Sequence, residues 1–403
     1  MNRYPSYKPS GVKWLGEIPS HWRLVRSKYL WKESFITSEN GNEELLSVSQ
    51  YDGITPAKGD SRSESLKGYK IVSENDLVIN IMLAWMGGLG VSNYNGIVSP
   101  AYCIYKLNDD SNPKFLHYLY KTPLYLAEFA RHSTGVIPSR WRMYTDDFGR
   151  VLSLIPPKEE QNAIVSYLDE RTAKIDAAIA QQQKMIELLN ERKQIIINRA
   201  VTKGLNPNAK MKDSGVEWIG EVPEGWEVRK LKHIAKLQSG DTISSDSFTE
   251  DGYPVYGGNG FRGYTNRYTN DGDYVLIGRQ GALCGNVNYA HGQFFASEHA
   301  VVVYPYHKEN LIWLGEVIRT SNLNQYSQSA AQPGLAVSMI QNISYPYPPE
   351  NEKSEIAIYL KNHLSQIDKA IANCQNQISL LQERKQIIIN EVVTGKVKIT
   401  DKI

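Results

Sequence analysis

Cysteine is scarce in this 403-residue chain: Cys103, Cys284 and Cys374 stand far apart, with no CxxC pair and no histidine pattern beside them. That spacing points to neither a disulfide framework nor a zinc site. No apolar run approaches the roughly 18 residues of a membrane span, and the opening MNRYPSYKPSGVKW carries no hydrophobic signal segment. A reducing cytoplasm is the expected setting. No GxxxxGKS or GxxxxGKT loop occurs, so no ATP-driven motor is encoded. The Asn-Pro-Pro-Tyr and Asp-Pro-Pro-Tyr tetrapeptides of amino-methyltransferases are also missing, since the two Pro-Pro sites read IPPK and YPPE. The 8 histidines are scattered, and no Ser/His/Asp or Cys/His arrangement is suggested. Charge of one sign is lacking too: 45 Lys+Arg against 43 Asp+Glu leave +2, so a nucleic-acid partner must be argued from local patches. Tyrosine is abundant instead, with 25 copies against 8 of phenylalanine, which suits sheets and wet binding surfaces. The chain reads as non-catalytic, and its length suffices for two or three cores.

What the chain does contain, it contains twice. ERKQIIIN occurs from Glu191 and again from Glu383, an offset of 192. The same offset lays Pro156-Pro157 on Pro348-Pro349, Glu160 on Glu352, Tyr167-Leu168 on Tyr359-Leu360 and Ile175-Asp176 on Ile367-Asp368. A second repeat, SGVKWLGEIPSHW from Ser10 and SGVEWIGEVPEGW from Ser214, is offset by 204. The plan is therefore a short lead-in, a divergent block and a PP-headed segment, then all three again. Fixed ends around a varying block suggest one frame presenting two different surfaces.

The PP-headed segments read as helices of about 40 to 45 residues, roughly 60 to 67 Å long. In the first, Ile164, Leu168, Ile175, Ile179, Ile186, Leu189 and Ile196 form a heptad-like seam; in the second, Ile356, Leu360, Ile367, Ile371, Ile378, Leu381 and Ile388 repeat it. Gln182, Cys374, Lys193 and Lys385 interrupt the seam as register-setting residues do. Two such stripes most simply bury each other. Because only KGLNPNAKMKDSG links the first helix to the second block, an antiparallel pair avoids a long return path. By the same pseudo-symmetry Trp14 is expected near the end of the second helix, as Trp218 follows the first. Expected boundaries are 1–155 and 204–347 for the two blocks, with 156–203 and 348–403 for the helices. The fold class is α+β: two mixed α/β domains separated by two long helices forming an antiparallel coiled coil, with a pseudo-twofold internal repeat.

Inside the blocks, Tyr69 to Leu83 and AYCIYKL read as strand-like, followed by a helical pattern over PKFLHYLYKTPLYLAEFARH; DYVLIG, HAVVVYP and KENLIWLGEVIRTSNLNQY echo them in the second block. GGNGFRG satisfies GxGxxG at Gly258, Gly260 and Gly263, yet it leads into turn-forming residues rather than a helix. A glycine turn between strands outweighs dinucleotide binding. Its small residues also leave room for DNA backbone, with Asn259, Arg262 and Arg267 as contacts. GVIPSRWRMYTDD offers Arg140 and Arg142, while IGRQGALCGNVN offers Arg279, Gln280, Asn286 and Asn288. Arginine on guanine and asparagine or glutamine on adenine are the pairings that major-groove edges favour. Lys58 and Arg62 complete the DNA-contact candidates, since such cations hold phosphates without reading sequence. No metal-ligand set is expected.

Taken together, the paired lead-ins GVKWLGEIPSHW and GVEWIGEVPEGW, the segments PPKEEQNAIVSYLDERTAKIDAAI and PPENEKSEIAIYLKNHLSQIDKAI, and the stretches YPVYGGNGFRGYTN, LIGRQGALCGNVN and SAAQPGLAVSMI closely resemble the specificity subunits of type I restriction-modification systems. The resemblance implies that each block is a target recognition domain reading half of an interrupted double-stranded DNA sequence. It also implies that the helices set the spacer and dock two methyltransferase subunits. Those partners would bind S-adenosylmethionine and methylate adenine. A restriction and translocation subunit would use ATP and magnesium, and this chain would bind no cofactor. The second copy carries Glu352-Lys353 where the family pattern has Glu-Gln, which leaves the helix intact but speaks against any side-chain role for that glutamine. A non-catalytic coiled-coil adaptor binding only proteins is the competing reading.

Overall fold

The computed structural model describes residues 3–50, 53–58, 65–137, 140–281, 283–327 and 334–399. Two compact units emerge, one of Met1–Gln182 with Asn376–Ile403 and one of Gln183–Gln375. In the first unit an antiparallel sheet runs in the order Trp31–Ser34, Tyr102–Leu107, Leu77–Asn80, Leu89–Val91. Alternate side chains leave it on opposite faces. Leu77, Ile79 and Tyr105 enter the main core with Phe115, Leu119 and Phe129, whereas Val78 and Ile104 pack with Leu46, Val48 and Ile54. Both faces are thus covered.

Two readings from sequence change here. The strand-like run from Tyr69 to Leu83 is two strands, Lys70–Val72 and Leu77–Asn80. Between them the Ser73 N–H donates to Asp76 Oδ2 at 2.8 Å and Asn75 takes φ 71°, a turn that Asp and Asn favour. The helical pattern after Asn112 is likewise two helices, Pro113–Tyr120 and Pro123–His132. Pro123 has no N–H to continue the first helix, and Thr122 caps the second.

The second unit repeats this frame strand for strand: Ala235–Ser239, Ala300–Pro305, Tyr274–Gly278, Val287–Ala290. Its helix Leu311–Thr320 is capped by Asn310 as Pro113–Tyr120 is by Asn112. What differs is a five-stranded sheet, ordered Phe248–Thr249, Gly260–Thr265, Tyr253–Gly257, Gln293–Ala296, Asn270–Asp271. The first unit has the hairpin Leu46–Ser49 with Gly53–Pro56 and the pair Lys70–Val72 with Gly96–Val98.

Two long helices, Lys158–Lys203 of 46 residues and Glu350–Val393 of 44, contribute to each unit. In the first unit Ile164, Leu168 and Ile175 share a core with Ile388, Ile389, Val392 and Val393. In the second, Ile197, Ala200 and Val201 share one with Ile356 and Leu360. Ile179, Ile186, Leu189, Ile196, Ile371, Ile378 and Leu381 are half-buried, and Ile367 is buried. The repeated lysines make reciprocal ion pairs: Lys385 Nζ lies 2.7 Å from Asp176 in the first unit and Lys193 Nζ 2.6 Å from Asp368 in the second. Both pairs are largely solvated, so each contributes at most about 1 kcal/mol; their value lies in register. Within each unit the helices run in opposite directions.

The lead-in motifs clasp the helix starts. Trp22 Nε1 donates to Glu160 Oε2 at 3.1 Å, and Trp226 Nε1 donates to Glu352 Oε2 at 2.9 Å. Both indoles are buried. Glu160 also accepts from the Tyr4 hydroxyl and pairs with His21 Nε2 at 2.8 Å. Trp14 stacks edge-to-face on Tyr125, 5.2 Å between centroids, in the core that holds Val392. The Tyr7 hydroxyl donates to Gly395 O at 3.1 Å.

His117 gives the first unit a pH dependence. Burial, reinforced by Lys121 and Lys114, pushes its imidazole down to about 4. Its neutral Nδ1 accepts the Val91 N–H at 3.1 Å, and the ring lies against Gly90 and Gly53. Because the folded value lies below the ordinary one, an unfolded chain takes up this proton first as pH falls. Stability is therefore expected to decline from about pH 6.5 towards pH 4, by on the order of 2–3 kcal/mol. Urea midpoints across that range should flatten in His117→Asn, which keeps an acceptor near Nδ1; an unchanged pH slope rules this out.

Candidate nucleic-acid interface

GGNGFRG is a hairpin turn. Gly257 pairs with Gly260 across the Gly258-Asn259 turn, and Gly260, the residue after the turn, takes φ 91°, a left-handed conformation that glycine adopts without strain. No helix follows, which removes dinucleotide binding. The turn stands over the end of strand Tyr274–Gly278, where a Cβ on Gly278 would lie 2.0 Å from Gly258 O. From that end the chain is held by Arg279 N–H to His299 O at 3.0 Å and Leu335 N–H to Arg279 O at 2.9 Å. Gln280 bridges to Gly334.

These constraints enclose a cavity of about 620 Å³, lined by Gly258, Asn259, Phe261, Arg262, Gln280 and His299 among others. Asn286 Nδ2 donates to Asn259 Oδ1 at 3.0 Å, joining two of the candidates. Asn288 stands behind Gly260, its Oδ1 3.0 Å from where a Cβ there would sit. Arg279 is committed inward, Nη1 donating to Ser239 Oγ at 2.9 Å. Arg262 is exposed, its guanidinium 5.6 Å from the Phe248 ring centroid; exposed Arg267 lies 5.0 Å from that of Phe295. Buried Asn288 Nδ2, His299 Nδ1 and Arg279 Nε find no hydrogen-bond partner among the described residues. Buried donors and acceptors are costly to leave unpaired, so this cluster is built to meet something polar.

In the first unit the candidates are dispersed. Thr134 and Arg142 exchange two backbone hydrogen bonds of 2.9 Å, closing a loop on which Arg140 is exposed. Arg142 Nη1 turns back to Trp141 O at 2.8 Å, and Trp141 packs on Trp85 at 5.3 Å. Lys58 is exposed just beyond Gly53–Pro56. Arg62 falls outside the described residues. Phe261 and His299, both on the cavity wall, carry no sequence signal: strand pairing alone brings residue 299 beside residue 280.

Among the described residues no group of three or more His, Cys, Asp or Glu is placed to hold a metal ion, and no helix is long and apolar enough to cross a membrane. Residues 223–379 match the family described as type I restriction modification DNA specificity domain. Over 166 residues the chain is 37% identical to the Type I restriction enzyme EcoprrI specificity subunit of Escherichia coli. That match covers 38% of this chain and 41% of the relative. Against the Type I restriction enzyme MjaVIII specificity subunit of Methanocaldococcus jannaschii, identity is 26%, covering 95% of this chain and 94% of the relative. Among solved structures, a chain described under complex assembly and conformational transition of the type I R-M system superposes with TM-score 0.71 at 16% identity. It covers 94% of this chain and 99% of that one, and so shares the fold.

Proposed function

We propose that the chain is a specificity subunit of a type I restriction-modification system, the non-catalytic part that selects DNA: residues 223–379 match that family's DNA specificity domain, and the similar relatives are specificity subunits. One observation carries this reading: the two units repeat a four-stranded frame in the same order, yet present different loops and sheets beside it. A shared frame with two surfaces suits the reading of two unlike half-sites in an interrupted double-stranded target. Recognition domains would span 1–155 and 204–347. The helical segments 156–203 and 348–403 would form an antiparallel coiled coil that sets the spacer, and their twofold repeat suits docking of two methyltransferase subunits. S-adenosylmethionine would belong to those subunits, ATP and magnesium to a restriction and translocation subunit.

Asn259, Gln280, Asn286 and Asn288 have the chemistry to meet base edges, and Lys58, Arg140, Arg262 and Arg267 to meet phosphates. Arg142 and Arg279 would act through the loops they brace. A protein-only adaptor would leave the polar loop cluster without purpose. The deciding experiment is filter binding of the chain with its methyltransferase partner across a salt series. Selective retention of one bipartite sequence is expected, with affinity falling as salt rises. Equal retention of all sequences at every salt concentration would sink the reading.

A further inference from the structure

We propose that the cavity between the Gly258-Asn259 turn and the Gln280 segment receives one extrahelical nucleotide of the bound DNA. The inference rests on the DNA-reading function above and adds a ligand to this site. In an intact duplex, base edges lie at the floor of a major groove about 8.5 Å deep, so reading them requires side chains that project. Here the recognition chemistry faces a hollow. Asn259, Gln280, Arg262 and His299 line it, and a hollow complements something convex. On a DNA ligand the convex element is an unstacked nucleotide.

The hollow is maintained by missing side chains. A Cβ on Gly258 would meet Gln280 O at 3.0 Å, one on Gly260 would meet Asn288 Oδ1 at 3.0 Å, and Gly281 takes φ 87°. At about 620 Å³ the cavity falls within the roughly 300–1,000 Å³ of small-molecule sites. A nucleotide presents a flat apolar face, a hydrogen-bonding edge and a phosphate, and the lining answers each. Phe261 lies on the cavity wall with 54% of its surface exposed, its ring held edge-to-face by Tyr264 at 5.0 Å between centroids and still open to solvent for stacking. The amides of Asn259 and Gln280 and the unpartnered His299 Nδ1 suit the edge. The exposed Arg262 guanidinium suits the phosphate. Proteins that extrude bases read them by this same pairing of stacking and edge contacts.

The site is separate from methylation. A methyltransferase takes its own target base out of the stack, so each half-site already offers one extrahelical adenine to the partner. The cavity would hold another base, in the half-site read by the second unit only. To test this, the target is first fixed by methylation mapping. The full complex is then bound to duplexes carrying 2-aminopurine at one position at a time. Fluorescence should rise severalfold at the methylated adenines and at one further position in one half-site. Gln280→Ala and His299→Ala should abolish the further signal and spare the others, while Phe261→Ala should weaken binding about tenfold, the scale of one lost base-aromatic stack. Gln280 and Phe261 are exposed, so their variants leave the core intact. Selective binding with signals only at the methylated adenines overturns the inference and leaves the DNA-reading function standing. Loss of all sequence selectivity in the unmodified complex overturns both.

Discussion

Replacing Lys353 by methionine is expected to remove about 3–5 kcal/mol of stability, the cost of stranding a buried charge. Lys353 Nζ lies 2.6 Å from Glu309 Oε2, and the two side chains are 1% and 2% exposed. The Tyr347 hydroxyl donates to the other Glu309 oxygen at 2.6 Å, and the ammonium sits 3.7 Å from the Tyr347 ring centroid. Burial pulls Lys353 down, but the bonds to Glu309 and Tyr347 outweigh it and hold the ammonium above the ordinary lysine range. It therefore stays charged at neutral pH. Without it Glu309 keeps one hydroxyl donor and no counter-charge.

The first unit shows the neutral solution to the same problem. At the equivalent position Gln161 donates to Pro156 O at 2.9 Å and accepts the Asn112 N–H at 2.7 Å. Against the expectation from sequence, the glutamine thus has a structural role in the first copy, and a Lys–Glu pair has taken that place in the second. The double variant Lys353→Gln with Glu309→Ser, the residue at position 111 of the first copy, should recover most of the loss. Urea midpoints of the full chain decide the matter: a double variant as unstable as Lys353→Met would show that the pair is not the cause.

Deleting seven residues from each long helix, Gln181–Glu187 and Cys374–Leu380, is expected to change the DNA spacer that is tolerated while both half-site sequences stay the same. In the chain, the first segment lies between Asp176 and Lys193 and the second between Asp368 and Lys385, the residues of the two ion pairs. Seven residues preserve the heptad phase and remove about 10.5 Å of helix, the rise of about three base pairs at 3.4 Å each. Three base pairs also turn the duplex by roughly a third of a turn, so affinity for the respaced target should fall as well. A map of methylated motifs reads spacer and half-sites together. An unaltered spacer would show that the helices do not act as the ruler.

The long helices were legible because Ile and Leu recur at three, four and seven residues across 46 and 44 positions. Less legible were their last turns. Ile197, Ile389, Val392 and Val393 are buried although they leave the heptad, since there the partner is no longer only the other helix but also Trp226 in one unit and Trp22 in the other. Strands read well where apolar alternation was strong, as in Tyr274–Gly278, and were merged where a short turn such as Ser73–Asp76 interrupted them. The cavity was half visible. Asn259, Arg262 and Gln280 stand out as polar side chains amid glycines, whereas His299 acquires meaning only through the pairing of distant strands, and Phe261 only beside the cavity that pairing closes. Single-sequence patterns carry local periodicity, not such pairings.

Each Trp–Glu clasp also has an evolutionary reading. Trp22 and Glu160 lie 138 residues apart, Trp226 and Glu352 126 apart, and the two contacts are nearly the same length. Beside each clasp the incoming and outgoing strands pair antiparallel, Arg23–Arg26 with Leu152–Ile155 and Glu227–Lys230 with Ser344–Tyr347. Each divergent block therefore leaves and rejoins the frame at one point, so an insertion or a wholesale replacement between the two ends does not move the helices. A gene built this way can exchange one block by recombination at the repeated ends and keep a folded product, acquiring a new surface in a single step.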